Sequence, residues 1–432
     1  MKVATFKKGP DYIDAGWLSS TSGTPCYNLD PFLIGEGRAR YSFVTHAQGA
    51  DVAVIEGNRG LFDGMDAEGT CSTSGVARLI KSPVVLILDC TKATRSMAAL
   101  VLGSKLMERG LTLGGVVLNQ IAGARHERII RQSIESITGV PVLGALPRMQ
   151  SIGLPERHMG LTPRDEYPEV AEAIEALARL IEQHADVERI FEVASSAPRL
   201  TTKPSDAPPD FALPAAAPRI GVIRDSAFQF YYPENVEELT RAGADVIELS
   251  ALRMKRLPDI DALYIGGGFP ETHAVGLSKN KNFRESLRDA VEAGLPVYAE
   301  CGGLMYLGSG LTVGDKRYEM AGVLPLEFSM HPKPRAHGYT VVAVSSANPF
   351  LKKGTVLHGH EFHYSLAEPE SIPKRSRYAY QNKRGGGIRE GRDGFIYKNV
   401  VASYTHIHAL GAPEWVEGMI RAAVKFSKLR KR

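Results

Sequence analysis

The 432-residue chain reads as α/β, with two doubly wound domains that are each built on a parallel sheet. Three observations carry that expectation. Short β-branched runs alternate with amphipathic helical patterns, the order that gives a parallel sheet covered on both faces. The alternation stops at residues 195–218, SSAPRLTTKPSDAPPDFALPAAAP, which are rich in Pro, Ala and Ser and have no apolar periodicity, and it begins again beyond them. The length also suffices for two or more domains. The expected division is a domain over 1–194, a linker over 195–218 and a second domain over 219–432.

In chain order, the first domain has strand signals at Val3–Phe6, Val52–Glu56, Val84–Asp89, Gly115–Asn119 and Val142–Leu146, all short β-branched or apolar runs. Helical periodicity covers Thr94–Arg109, Arg125–Thr138 and Glu169–His184. After the linker come strands at Ile220–Ile223, Val246–Leu249, Ala262–Ile265 and Val297–Ala299, with a helix near Asn235–Ala242. From Tyr318 to Tyr397 the pattern changes to short runs broken by Gly and Pro, which predicts antiparallel hairpins. A last strand holding His406 and His408 and an amphipathic helix over Pro413–Lys428 close the chain.

Composition excludes several classes. The 52 basic and 48 acidic residues leave a formal charge of +4, too small a field to imply nucleic acid as a partner. The basic block Lys425–Arg432 reads as a solvated tail. Cys26, Cys71, Cys90 and Cys301 have no C-x-x-C spacing, which argues against a disulfide framework or a structural zinc site. No apolar stretch reaches the roughly 18 residues of a membrane span, and the N-terminus lacks a signal-peptide core. A reducing cytoplasm is the expected location.

Cys301 lies within Tyr298-Ala299-Glu300-Cys301-Gly302-Gly303-Leu304, directly after the apolar run Gly294-Leu295-Pro296-Val297. A strand that ends at Cys and two glycines predicts a strained strand-turn-helix elbow, which projects the side chain. The helix-opening amides are expected to lower the thiol pKa and to stabilise an oxyanion. A lone Cys is more often a small buried hydrophobe, but the glycines and a downstream His favour a nucleophile. Strand alternation puts His406 and His408 on one face, and strand ends are where parallel sheets place sites. The bland alternative is a pair of surface histidines on an edge strand.

In the first domain, Phe6-Lys7-Lys8-Gly9-Pro10-Asp11-Tyr12-Ile13-Asp14 runs from a strand end into a Gly-Pro turn. Val54-Ile55-Glu56-Gly57-Asn58-Arg59-Gly60-Leu61-Phe62-Asp63-Gly64 closes a strand with an acid and a glycine, the place of a Walker-B-like carboxylate that holds Mg²⁺ beside nucleotide phosphates. Magnesium needs only one or two carboxylates with phosphate and water. The chain contains no G-x-x-x-x-G-K-[ST] run. The phosphate site is therefore expected to be incomplete here, as if the chain started after that loop, with tight ATP binding lost.

These segments, with Asn28-Leu29-Asp30, Gly266-Gly267-Gly268-Phe269-Pro270-Glu271, Gly359-His360-Glu361-Phe362-His363-Tyr364-Ser365 and Ser403-Tyr404-Thr405-His406, resemble the cobyrinate a,c-diamide synthase family over nearly the whole chain. The resemblance implies a P-loop NTPase-like, dethiobiotin-synthetase-like domain followed by a class I glutamine amidotransferase-like domain. It also implies ATP-dependent amidation of the a and c acetates of a tetrapyrrole, cobyrinate first among candidates, in cobalamin biosynthesis. ATP would phosphorylate a carboxylate, and ammonia from glutamine would displace the phosphate. By the same resemblance Cys301 would form a thioester with His406 as base, and Gly267, Gly268 and Gly302 would serve glutamine or the oxyanion. Lys7, Asp11, Tyr12 and Asn119 would bind ATP and substrate, with Asn119 at the adenine, and Glu56 and Asp63 would hold Mg²⁺. The implied partners are a tetrapyrrole, L-glutamine, ATP and a second copy in a homodimer, with no nucleic acid and no membrane.

Two departures stand out. Many class I glutaminases carry an acid two residues after the base, where this chain has His408, so the orientation of His406 must come from elsewhere. The stretch Ala15–Tyr27 differs from the more usual substrate lip, which opens hydrogenobyrinate, siroheme or nickel-sirohydrochlorin as alternatives. Cobyric acid synthase and a non-catalytic tetrapyrrole-binding protein are the rival readings.

Overall fold

The computed structural model describes residues 1–149, 156–157, 160–161 and 170–430. It divides into two compact units, Met1–Ala207 and Pro208–Arg432. Glu169, the expected first residue of a helix, lies outside the described residues, as do Lys431 and Arg432 of the basic tail.

In the first unit the strands are β1 (Val3–Lys8), β2 (Cys26–Leu29), β3 (Val52–Glu56), β4 (Val84–Asp89), β5 (Leu113–Ile121) and β6 (Val142–Pro147), followed by the short pair β7 (Glu156–Arg157) and β8 (Gly160–Leu161). The helices are α1 (Ile13–Ser22), α2 (Pro31–His46), α3 (Thr73–Leu79), α4 (Ser96–Met107), α5 (Ala124–Thr138), α6 (Val170–His184) and α7 (Val187–Ser195). The sequence predicts one sheet, but the structure has two parallel sheets of three strands, ordered β2-β1-β3 and β4-β5-β6. Among the described residues no strand joins β3 to β4, so both are edges. Their apolar side chains are correspondingly open to solvent, Val54 at 45 % and Ile87 at 66 %.

The Asn28-Leu29-Asp30 run has a structural job. The Asn28 amide donates to the carbonyls of Gly9 (2.7 Å) and Asp11 (2.9 Å), fixing the loop after β1. Asp30 is fully buried and caps α2 by accepting from Phe32 and Leu33 N–H. Trp17, in the stretch that differs from the more usual substrate lip, is a buried residue of α1. Part of the expected linker belongs to this unit. Buried Asp206 accepts from Lys203 N–H and holds Arg40 at 3.2 Å.

The second unit holds one ten-stranded sheet. Its strands are β9 (Arg219–Ile223), β10 (Asp245–Leu249), β11 (Ala262–Ile265), β12 (Val297–Glu300), β16 (Ala336–Val344), β17 (Val356–His363), β19 (Arg377–Arg384), β20 (Arg392–Tyr397), β21 (Val400–Ser403) and β22 (His406–Ile407), ordered β10-β9-β11-β12-β21-β20-β19-β16-β17-β22. A side sheet takes β13 (Gly310–Val313), β14 (Lys316–Glu319), β15 (Glu327–Met330) and β18 (Ser365–Ala367). The helices are α8 (Pro233–Arg241), α9 (Ala274–Lys279), α10 (Lys281–Glu292), α11 (Gly302–Leu307) and α12 (Pro413–Arg430). The strands from β10 to β21 pair in parallel, and those from β20 to β22 pair antiparallel, as the change of pattern after Tyr318 predicts.

The last strand departs from expectation. β21 ends at Ser403, and the chain turns before a separate strand, β22, pairs with β17. The cause is Asp393, a fully buried carboxylate that accepts from Tyr404 and Thr405 N–H at 3.0 Å each. It draws those two amides out of the ladder. His406 and His408 are both buried, which excludes the surface reading.

Candidate active site

The Cys301 elbow forms as the sequence predicts. Cys301 has φ +47° and ψ −98°, a strained conformation for a residue with a side chain, and α11 begins at the next residue. Its own N–H donates to Ser403 O at 2.7 Å, completing the β12–β21 ladder, so that amide is not available to an oxyanion. Gly303 N–H is used as well, donating to Gly266 O at 3.1 Å. Gly302 packs on the 266–268 loop so tightly that an added Cβ would lie 3.0 Å from Gly268 N. Gly267 sits against His406, since a Cβ there would be 2.5 Å from Cε1 and 3.3 Å from Nε2 of that ring. Cys301 and His406 are thus both seated on the Gly266–Gly268 loop, with Gly268 beside the elbow.

The thiol itself behaves differently from expectation. Burial pushes its pKa well above the ordinary thiol range, and the carboxylates of Glu271 and Glu300 add to the rise, while the Gly302 N–H only partly offsets them. The helix opening is outweighed because Cys301 is 7 % exposed, and its sulfur lies 4.0 Å from Phe362 O. A nucleophilic Cys301 would therefore need a proton acceptor beside it. Iodoacetamide labelling of Cys301 is expected to keep accelerating above pH 9, where an ordinary thiol, with a pKa of about 8.5, levels off. A plateau reached by pH 8 would show a lowered pKa.

His406 is 2 % exposed and its ring stacks on that of His360, with centroids 4.8 Å apart. Burial, then the neighbouring His406, hold the His360 pKa well below the usual histidine range, so His360 is neutral. His406 Nδ1 lies 3.5 Å from Oε2 of Glu300. His408 faces another way, with Nε2 3.5 Å from Oε2 of Glu234 at the start of α8 and Nδ1 accepting from Leu410 N–H. Sequence reasoning did not single out Glu300, Glu271 or His360 for a role. A glutamate that ends an otherwise apolar buried strand was the available signal for Glu300.

In the first unit Lys7 is buried at the end of β1. Its ammonium donates to Asp14 (2.7 Å) and Gly57 O (3.1 Å) and lies 3.2 Å from Glu56. Burial pulls the Lys7 pKa down, but the Asp14 hydrogen bond and the carboxylates of Asp14, Glu56 and Asp11 outweigh it, for a net rise. Burial raises Glu56, tempered by Lys7. Asp11 caps α1 by accepting from Ile13 (2.9 Å) and Asp14 N–H (3.0 Å), and burial, with Asp14 nearby, raises its pKa. Tyr12 is the residue before α1.

Two expected members are engaged elsewhere. Asp63 is exposed and accepts from Gly60 N–H at 3.0 Å within its own turn. Asn119 lies on β5 of the other sheet and accepts from Gln120 N–H at 2.9 Å. The structure instead adds Asp14 to the Lys7 cluster. Among the described residues no group of three His, Cys, Asp or Glu is poised for a metal. Glu56, with a side chain 46 % exposed, still fits the sparse carboxylate supply that magnesium needs beside phosphates.

A Cys elbow and a glycine loop at the ends of parallel strands, with a buried His from β22 seated against that loop, in one chain with an ATPase-type unit, define a glutamine-dependent amidoligase. Residues 219–414 match the CobB/CobQ-like glutamine amidotransferase domain, and residues 38–156 match the AAA domain, which supports ATP use. The chain is 44 % identical to the cobyrinate a,c-diamide synthase of Magnetococcus marinus, covering 97 % of this chain and 90 % of that protein. It is 39 % identical to that of Archaeoglobus fulgidus (98 % and 91 %) and 40 % identical to that of Listeria monocytogenes (94 % and 90 %). The chain belongs to the cobyrinate a,c-diamide synthase family. Among the described residues no helix is long and apolar enough to cross a membrane.

Proposed function

We propose that the enzyme amidates the a and c acetate carboxylates of cobyrinate in cobalamin biosynthesis, in the cytoplasm and as a homodimer. Near-full-length similarity to synthases of that name supports the substrate. The seating of Cys301 and His406 on one glycine loop is the observation that carries the nitrogen chemistry. His406 takes the Cys301 proton as sulfur attacks the amide carbon of glutamine, and returns it to the departing ammonia. Water then hydrolyses the thioester. Gly268 and Gly302 N–H are the proposed donors to the oxyanion, and Gly267 leaves room for the base.

In the first unit Lys7 is proposed to face the phosphates, and Asp11, Tyr12 and Asn119 to line the ATP and substrate region. Glu56 and Asp63 would hold Mg²⁺, which supplies charge neutralisation on the phosphates. Asp11 also orders α1, so its replacement would disturb structure as well as binding. Because the carboxyl phosphate is needed with either nitrogen donor, Glu56→Ala is expected to lower amidation from glutamine and from ammonia alike, by about 10²-fold or more. Near-normal turnover with ammonia would remove Glu56 from the activation step. The substrate is tested by incubation with ATP, glutamine and cobyrinate, hydrogenobyrinate, siroheme or nickel-sirohydrochlorin in turn. Mass spectrometry should find a mono- and then a diamide from cobyrinate. Amidation of one of the other macrocycles alone would reassign the substrate.

A further inference from the structure

We propose that Glu300, the residue immediately before the nucleophile, is the acid that positions His406. The proposal rests on the reading of Cys301 and His406 as nucleophile and base. In this chain the position two residues after the base is His408, which is turned toward Glu234 at the start of α8. The side chain that reaches His406 Nδ1 comes instead from the end of β12, with Glu300 Oε2 at 3.5 Å. That separation is within ion-pair reach and just beyond a good hydrogen bond, and catalytic contacts of this kind commonly shorten when substrate closes the site.

The carboxylate of Glu300 is held on two sides. Oε2 accepts from the Tyr264 O–H at 2.9 Å, and Oε1 accepts from Ile407 N–H at 3.1 Å. Tyr264 O in turn accepts from the Asn235 amide at 3.1 Å, and the other donor bond of that amide goes to Ile407 O at 3.0 Å. Glu300, Tyr264 and Asn235 are all fully buried. The chain immediately after His406 is therefore tied, through the N–H and the carbonyl of Ile407, to β12, α8 and β11 by one hydrogen-bonded group.

The geometry suits an orienting acid. With Nδ1 facing the carboxylate, the Nε2 edge of His406 faces Gly267 and the loop on which the Cys301 elbow is seated. A carboxylate behind Nδ1 selects the tautomer that leaves Nε2 free to take the thiol proton, and stabilises the imidazolium that results. Sequence adjacency to Cys301 makes the arrangement economical. Alternation at the end of β12 sends the carboxylate of Glu300 and the sulfur of Cys301 in different directions around the same strand end. One strand end thus supplies both the nucleophile and the support for its base.

The test is uncoupled glutamine hydrolysis by the full chain. Glu300→Gln keeps the shape but not the charge, and is expected to lower kcat about 10²-fold or more with KM for glutamine changed less than about three-fold. Glu300→Asp should recover part of the loss. In a His406→Ala background, Glu300→Gln should cost nothing further, because its effect passes through the ring. A merely structural Glu300 would give additive losses in that background. If Glu300→Gln does not fold, Tyr264→Phe removes one of the two donors that hold the carboxylate, and a loss of about three- to ten-fold in kcat is expected. A folded Glu300→Gln with kcat within three-fold of the parent, or additive losses, overturns the proposal. Undiminished hydrolysis by Cys301→Ser would instead overturn the reading it rests on.

Discussion

Cys301→Ser is expected to remove glutamine hydrolysis, by a factor on the order of 10³ or more, and to leave ATP-dependent amidation from free ammonia close to that of the parent. The thioester needs sulfur. An alcohol in the same buried place, near Glu271 and Glu300, would be harder still to ionise than the thiol. Ammonia bypasses the whole second unit, so the two assays separate the glutaminase from the ligase. Equal loss with both nitrogen donors would refute the division of labour between the units.

The second large effect is steric. Gly267→Ala places a methyl 2.5 Å from Cε1 of His406 and 3.2 Å from Cβ of Phe230. Such a contact forces the ring to move by roughly an ångström, and a displacement of that size near reacting atoms costs about 10²-fold in turnover. Gly267 is not among the glycines with positive φ, so its backbone accepts alanine and the damage falls on the base. Glutaminase kcat should drop about 10²-fold while the thermal midpoint moves little. A normal kcat in a folded Gly267→Ala protein would show that His406 tolerates displacement.

What the sequence disclosed follows from how local each feature is. The elbow was legible because Cys301, Gly302 and Gly303 determine it among themselves, and the central strands because their apolar runs need no partner to be recognised. α2 was hidden because Pro31, Gly35 and Gly37 read as breakers. Pro31 in fact occupies the first turn, where it is tolerated, and the helix bends at Gly35, which has φ +77°. The break between Ser403 and His406 depends on Asp393, ten residues back across a hairpin, which no periodicity reveals. Asp63 was legible as an acid in a glycine-bounded turn, but that one of its oxygens accepts from Gly60 N–H in that turn is shown by the structure alone. The raised thiol pKa could not be read from a motif, since burial is a property of the packed chain. Glu300 was in plain view, but only the structure supplies its partner.

The ten-stranded sheet has a consequence for how activity arises during folding. Cys301 directly follows β12 of the parallel half, while His406 rides on β22 at the opposite, antiparallel end of the strand order. More than a hundred residues of chain separate Cys301 from His406, and contacts between such distant segments are among the slowest to form. A chain that has assembled only its parallel strands owns a sulfur but no proton acceptor. During refolding, glutamine hydrolysis is therefore expected to appear only when the antiparallel strands have joined the sheet.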